Sequence, residues 1–259
     1  MSLLHEAFAR AKSENRAALI AYLPAGYPSE DGAVECIAAM VEGGVDIVEI
    51  GFPYSDPVMD GPTIQDAVNI SLEGGTKSAT VINTVKRVAE LGVPALVMSY
   101  WNPIERYGLD SFAADFHAAG GVGVITPDLT PEEAEDWIEA TNSNDVDRVF
   151  LIALSSSDER IAKVANVTTG FIYAGAVMGV TGARSSISDA IEGLVAKARR
   201  HSDLPIAVGL GVSTPEQAHE IAQYADGVIV GSAFVTAIKN DGAAGAKALA
   251  QALSKSLAR

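Results

Sequence analysis

Eight short apolar runs alternate with amphipathic stretches along the whole of this 259-residue chain. The runs are AALIAYL (17–23), VDIVEIG (45–51), PALVMSY (94–100), GVGVITP (121–127), DRVFLIAL (147–154), GFIYAG (170–175), LPIAVGLG (204–211) and DGVIVGS (226–232). They are rich in Val and Ile and show little strict alternation, the pattern of parallel strands buried on both faces. The stretches between them include 29–44, 77–92, 130–142, 187–201 and 213–225. Their starts read Ser/Thr-Pro-Glu or Ser-Glu-Asp, which supply a capping oxygen and early acids, and several end in Gly or basic residues. This alternation predicts parallel βα units. Eight units favour a closed (β/α)8 TIM barrel, with an open doubly wound sheet as the alternative. A barrel of this kind uses about 250 residues, and no linker or low-complexity tract divides the chain. Residues 1–259 therefore read as a single (β/α)8 barrel domain, with an extra N-terminal helix over 2–13 and a final helix in the tail 242–259.

Composition narrows the function classes. Hydrophobic residues make up 48% and charged residues 20%, which excludes a disordered chain. A net charge of −15 argues against nucleic acid or an anionic membrane as the main partner. The one cysteine, Cys36, allows no intrachain disulfide and fits a reducing compartment. The first residues carry charges throughout and no apolar core of a signal peptide. No apolar run reaches the ~18 residues of a membrane span. A cytoplasmic location is expected.

In a parallel barrel, chemistry sits where the strands end. Glu49 lies near the end of the second run, among Val and Ile, where an unpaired charge is disfavoured. Either it pairs with a basic residue of a neighbouring strand, or it is a general acid/base tuned by a partly apolar pocket. Asp60 follows in GFPYSDPVMDGPTIQ (51–65), read as a long loop with three prolines and two glycines. Asp-Gly is a common turn pair, but with Glu49 it supplies two carboxylates from one βα unit. One can protonate a substrate atom while the other accepts a proton. Asp56, before Pro57, reads as a turn former or solvated carboxylate.

Glycine-rich ends follow the sixth, seventh and eighth runs: GVTGARSS (179–186), GLGVSTPEQ (209–217) and GVIVGSAF (227–234). Glycine lets backbone N–H groups approach an anion, and helix N-termini favour negative charge. Three such ends predict a phosphate site, with Ser232 adding a hydroxyl and SAFVTAIKN forming the short helix behind it. GLG lacks the full GxGxxG pattern, so dinucleotide binding is not read. Tyr22, Tyr100, Trp101 and Tyr173 near the strand ends suit a flat apolar group attached to a phosphate, although each alone is more often core. The four histidines all fall on helical segments, no zinc-type spacing occurs, and no lysine lies within the eight runs. The last point weakens Schiff-base chemistry.

These segments resemble the tryptophan synthase α-subunit family over essentially the whole chain. VEIGFPYSDPVMDGPTIQ (48–65) carries the most specific likeness. LPAGYP (23–28), YWNP (100–103), ITPDL (125–129), GVTGAR (179–184), VGLGVS (208–213) and VGSAFV (230–235) follow in the family's order. The resemblance implies a (β/α)8 lyase that cleaves indole-3-glycerol phosphate to indole and glyceraldehyde 3-phosphate by a retro-aldol reaction, without Schiff base or metal. By match of motif, Glu49 is the acid/base and Asp60 accepts from the indole N–H. Thr181 contacts Asp60 when its loop closes. Gly182, Gly211, Gly231 and Ser232 cradle the phosphate, and Tyr22, Ile64, Tyr100, Tyr173, Leu210 and Ile229 line the indole pocket.

The resemblance also implies an α2β2 complex with a tryptophan synthase β subunit. That partner carries pyridoxal phosphate and makes L-tryptophan from the indole it receives; this chain holds no cofactor. Pro53, Asp56 and Pro57, with YWNPIERYG (100–108), would face the partner as loops. Leu210 and Tyr22 stand where the family commonly has Phe, and Val177 and Met178 replace more polar residues, which affects pocket shape and loop closure. Two other readings are a stand-alone indole-3-glycerol-phosphate lyase and a ligand-binding regulatory barrel. Indole-3-glycerol phosphate synthase shares the fold but needs a lysine at a strand end.

Overall fold

The computed structural model describes residues 2–175, 184–209 and 211–259. Its strands are β1 (Ala18–Pro24), β2 (Ile47–Gly51), β3 (Ala95–Met98), β4 (Gly123–Ile125), β5 (Asp147–Val149), β6 (Leu151–Ala153), β7 (Ile172–Gly175), β8 (Ile206–Gly209) and β9 (Gly227–Val230). All neighbours pair in parallel, in the order β5-β4-β3-β2-β1-β9-β8-β7-β6. The two outermost strands, β5 and β6, are separated in the chain by Phe150 alone. Pairing continues across that residue, where Tyr173 N donates to Phe150 O at 3.2 Å. They are two halves of one strand, the fifth run, so the sheet closes on itself. Eight strand positions make a (β/α)8 barrel, and the open-sheet alternative falls.

Helices wrap the outside, and their apolar faces join the outward strand residues in one large core that includes Val48, Val97, Phe112 and Trp137. The expected caps form at two starts. Ser29 Oγ accepts from Gly32 N at 3.1 Å, and Thr214 with Gln217 forms a reciprocal capping box. A second core fills the barrel. Ile20, Ile47, Leu96, Ile125, Val149 and Ile229 point inward from successive strands. The extra N-terminal helix, Leu3–Ser13, packs into the end where the strands begin. Its Leu4 and Phe8 enter the inner core, and Phe8 meets Phe171 with ring centroids 5.6 Å apart. The strand ends therefore form the mouth.

Polar groups also secure the closed end. Asp46, just before β2, is 3% exposed. It accepts from Arg16 Nη1 and Nη2 at 2.6 and 2.8 Å, from Arg10 at 3.3 Å and from Leu19 N at 2.9 Å. Arg148, equally enclosed, donates to Thr141 Oγ1, Asn142 Oδ1 and Val167 O. These belong to the last turns of the helices Glu135–Ser143 and Asp158–Val167. Two helix C-termini thus converge on one guanidinium, the sign that their dipoles favour.

Some local expectations need correction. The segment 51–65 is not all loop: a helix, Pro62–Glu73, begins directly after Gly61 with proline in its first turn. Residues 100–108 are not a loop either, because Trp101–Tyr107 is helical. Asp128 Oδ1 accepts from Trp101 N at 2.9 Å and satisfies a free N–H at that helix start. The helices expected in SAFVTAIKN and in the tail do form, within Ser232–Ser256, broken at Gly242 where φ is 59° and ψ is −145°. No helix among the described residues is long and apolar enough to cross a membrane.

Candidate active site

A cavity of about 200 Å³ opens at the barrel mouth. It collects most of the candidates from sequence: Tyr22, Glu49, Asp60, Ile64, Tyr173, Gly211, Ile229, Gly231 and Ser232 all line it. Inward alternation puts them there. Ile20 and Ile47 point into the barrel, so Tyr22 and Glu49, two positions on, do the same, and the β1–β2 register sets them side by side. Met59, Gly61, Met98, Leu151, Gly175 and Gly209 complete the lining. Met59 and Gly61 fall in the segment 48–65 and Gly209 in VGLGVS (208–213), but none of the six was singled out from sequence. For Met98, Leu151 and Gly175, inward alternation along the strands was the one signal available.

Glu49 has 0% exposure, and neither carboxyl oxygen has a hydrogen-bond partner among the described residues. The structural alternative for this residue, pairing with a basic neighbour, is absent from the described residues. Burial pushes its carboxyl up to about 8, so it holds a proton at neutral pH. Asp60 is partly buried at the rim. Burial raises its pKa, and the Tyr100 hydroxyl, donating to Oδ1 at 3.2 Å, pulls it back by favouring the ionised form. Two acids in one cavity are thus held in different environments: Asp60 has a hydrogen-bond donor, and Glu49 has none among the described residues.

Tyr100 is placed beside this cavity and acts on its rim. Its hydroxyl accepts from Met59 N at 2.9 Å while donating to Asp60. Burial raises the phenol to about 12, which keeps it a donor. Gln65 Nε2 donates to Asp60 O at 2.7 Å, so the new helix holds the other side of the loop.

At the far wall, Gly231 and Ser232 line the cavity where the helix Ser232–Ser256 begins. Gly211, at φ +68°, adopts a conformation that L side chains rarely take. A helix start beside two glycines is a ready anion site. Thr181, Gly182 and Leu210, with Val177 and Met178, lie outside the described residues.

Beside the mouth, a groove of about 530 Å³ is lined by Phe52, Pro53, Tyr54, Asn102, Arg106 and Tyr107, among others. Pro53 is buried in its wall, whereas Asp56 is exposed and accepts from Ser55 Oγ at 2.6 Å. Pro57 is half-buried, and Val58 next to it is 77% exposed. A larger hollow of about 820 Å³ lies at the closed end, around Ser2, His5, Asp147 and Arg148. It holds no buried acid without a partner. Among the described residues no group of three or more His, Cys, Asp or Glu is placed to hold a metal ion.

Residues 8–258 match the family described as "Tryptophan synthase alpha chain". The tryptophan synthase alpha chain of Nocardia farcinica is 56% identical over 236 residues, covering 91% of this chain and 89% of that one. That of Mycobacteroides abscessus is 50% identical over 256 residues, covering 99% and 97%. Among solved structures, a chain of Mycobacterium tuberculosis tryptophan synthase superposes with a TM-score of 0.94 at 48% identity, covering 99% of this chain and 98% of that chain. The alpha chain from Legionella pneumophila superposes with a TM-score of 0.91 at 29% identity, covering 99% and 97%. Sequence, barrel and mouth agree, and the chain belongs to the tryptophan synthase alpha chain family.

Proposed function

We infer that this chain, as a single barrel domain, cleaves indole-3-glycerol phosphate to indole and glyceraldehyde 3-phosphate, with Glu49 as acid and base and Asp60 as the anion beside the indole nitrogen. The observation that carries this reading is the pair of unlike acids: Glu49 buried, without a partner among the described residues and protonated, Asp60 at the rim under a donated hydrogen bond. Glu49 gives its proton to indole C3. The ring becomes an iminium whose N–H donates to Asp60, so the charge develops next to a carboxylate. Glu49, now ionised, takes the proton of the chain hydroxyl on the carbon bonded to C3. That oxygen forms the aldehyde carbonyl, the C3–C bond breaks, and its electron pair restores the indole. Glu49 ends as it began. General acid–base catalysis of this kind contributes roughly 10²–10⁴-fold.

The phosphate sits against Gly211, Gly231 and Ser232 at the helix start, with Gly182 joining them. The indole lies among Tyr22, Ile64, Tyr100, Tyr173, Leu210 and Ile229. Thr181 meets Asp60 on loop closure, which excludes water.

Exposed Val58 and Met59, with Pro53, Asp56, Pro57 and the helix Trp101–Tyr107, form the contact for a β subunit in an α2β2 complex. Pyridoxal phosphate belongs to that partner, and a cytoplasmic enzyme pair is the setting. The test is indole release from indole-3-glycerol phosphate by the purified chain, alone and with a β subunit. Slow release that rises strongly with the partner is expected. Fast release alone would mark a stand-alone lyase, and binding without release would remove the roles given to Glu49 and Asp60.

A further inference from the structure

Two phenols in the cavity, Tyr22 and Tyr173, have hydroxyls with no task in the reaction as described. Tyr22 stands level with Glu49 on the neighbouring strand. Its ring passes Gly231, where an added Cβ would lie 3.3 Å from Tyr22 Cδ1. Its hydroxyl reaches β2, where a Cβ added at Gly51 would lie 2.3 Å from Tyr22 Oη. The side chain therefore runs from the glycine-lined helix start to the strand that carries Glu49, and glycine at 51 leaves the room it needs. Tyr22 Oη makes no hydrogen bond to any described residue, yet it borders an open cavity. Burial first, then the nearby charges of Asp60 and Glu49, raise its pKa well above the ordinary phenol value, so it remains a donor. Tyr173, the other inward phenol, lies over Gly209 on the opposite wall.

A substrate with its indole at Asp60 and its phosphate at Ser232 must lay the chain between them along Tyr22. We propose that the Tyr22 hydroxyl donates to a hydroxyl of that chain, making Tyr22 a specificity residue for a hydroxylated three-carbon phosphate rather than a plain wall of the indole pocket. The inference rests on the reading of the site given above. A site built to hydrogen-bond a substrate hydroxyl rejects the analogue that lacks it, because its own polar group is then left unpaired.

The test compares two ligands by calorimetry in a Glu49→Gln background, which prevents turnover. One is indole-3-glycerol phosphate; the other is 3-(indol-3-yl)propyl phosphate, with the same ring and phosphate but no chain hydroxyls. Tyr22→Phe keeps the ring against Gly231. It is expected to weaken the hydroxylated ligand about tenfold, the scale of one hydrogen bond, and to leave the propyl phosphate within about twofold. Equal loss for both ligands would make Tyr22 a packing residue, and no loss for either would leave its hydroxyl without a role; both overturn the proposal. If neither ligand binds the Glu49→Gln chain with Tyr22 intact, the site reading itself fails, and this inference with it.

Discussion

Asp46, just before β2, and Glu49, in the middle of it, stand three residues apart, and burial alone does not tell them apart. Asp46 is 3% exposed and Glu49 is 0% exposed. At the closed end, Asp46 meets two arginines and a backbone N–H. Its hydrogen bonds and charge hold Arg16 firmly protonated. At the mouth, Glu49 meets no partner among the described residues and keeps its proton instead. The barrel uses one buried acid to fix its base and leaves the other without a partner among the described residues, on the wall of the mouth cavity. In the proposed function, satisfaction of the carboxylate, rather than its depth, separates the acid that reacts from the acid that holds the base.

The contrast is broken most sharply by Glu49→Gln. Gln matches the shape but supplies no acidic proton, so turnover in the complex should fall about 10³-fold or more. Near-normal turnover in steady-state assays would remove Glu49 from the chemistry. The matching change at the base, Asp46→Ala, should lower unfolding stability by about 3 kcal/mol, since it leaves Arg16 and Leu19 N without their acceptor. Urea denaturation reads this, and a loss below about 0.5 kcal/mol would show that the base does not depend on the pair.

A third prediction concerns stability at the mouth. The folded pKa of Glu49 lies above its unfolded value of 4.5, so the native state holds the proton more tightly. The neutral acid is tolerated at low pH, and stability is lost as pH rises from 4.5 through about 8. At about 1.4 kcal/mol per pH unit, Glu49→Gln should exceed the parent by about 3 kcal/mol at pH 7, with little difference near pH 4.5. A pH-independent difference in denaturation midpoints would contradict it.

The sequence makes the barrel legible because eight runs buried on both faces leave few other topologies. Glu49 is legible for the same reason: a charge inside such a run stands out. The helix starting at Pro62 is less so, since three prolines and two glycines over 51–65 outweigh the single signal of proline at a helix start. The helix Trp101–Tyr107 depends on Asp128, 27 residues away, for a partner at its first N–H, and no local pattern announces that. The same holds for the Tyr100 hydroxyl on Asp60, which spans 40 residues. Whether Glu49 is paired is likewise a property of the closed barrel: the run 45–51 carries both Asp46 and Glu49, and only the assembled strands decide which one meets Arg16.

The most direct measurement is the titration of the Glu49 carboxyl in the folded chain, read as the difference infrared spectrum between the parent and Glu49→Gln across pH 5 to 9. A protonated carboxyl band that persists through neutrality and disappears with a midpoint near 8 is the predicted result. A carboxylate already ionised at pH 6 would contradict a neutral acid at the mouth, and with it the division of roles between Glu49 and Asp60.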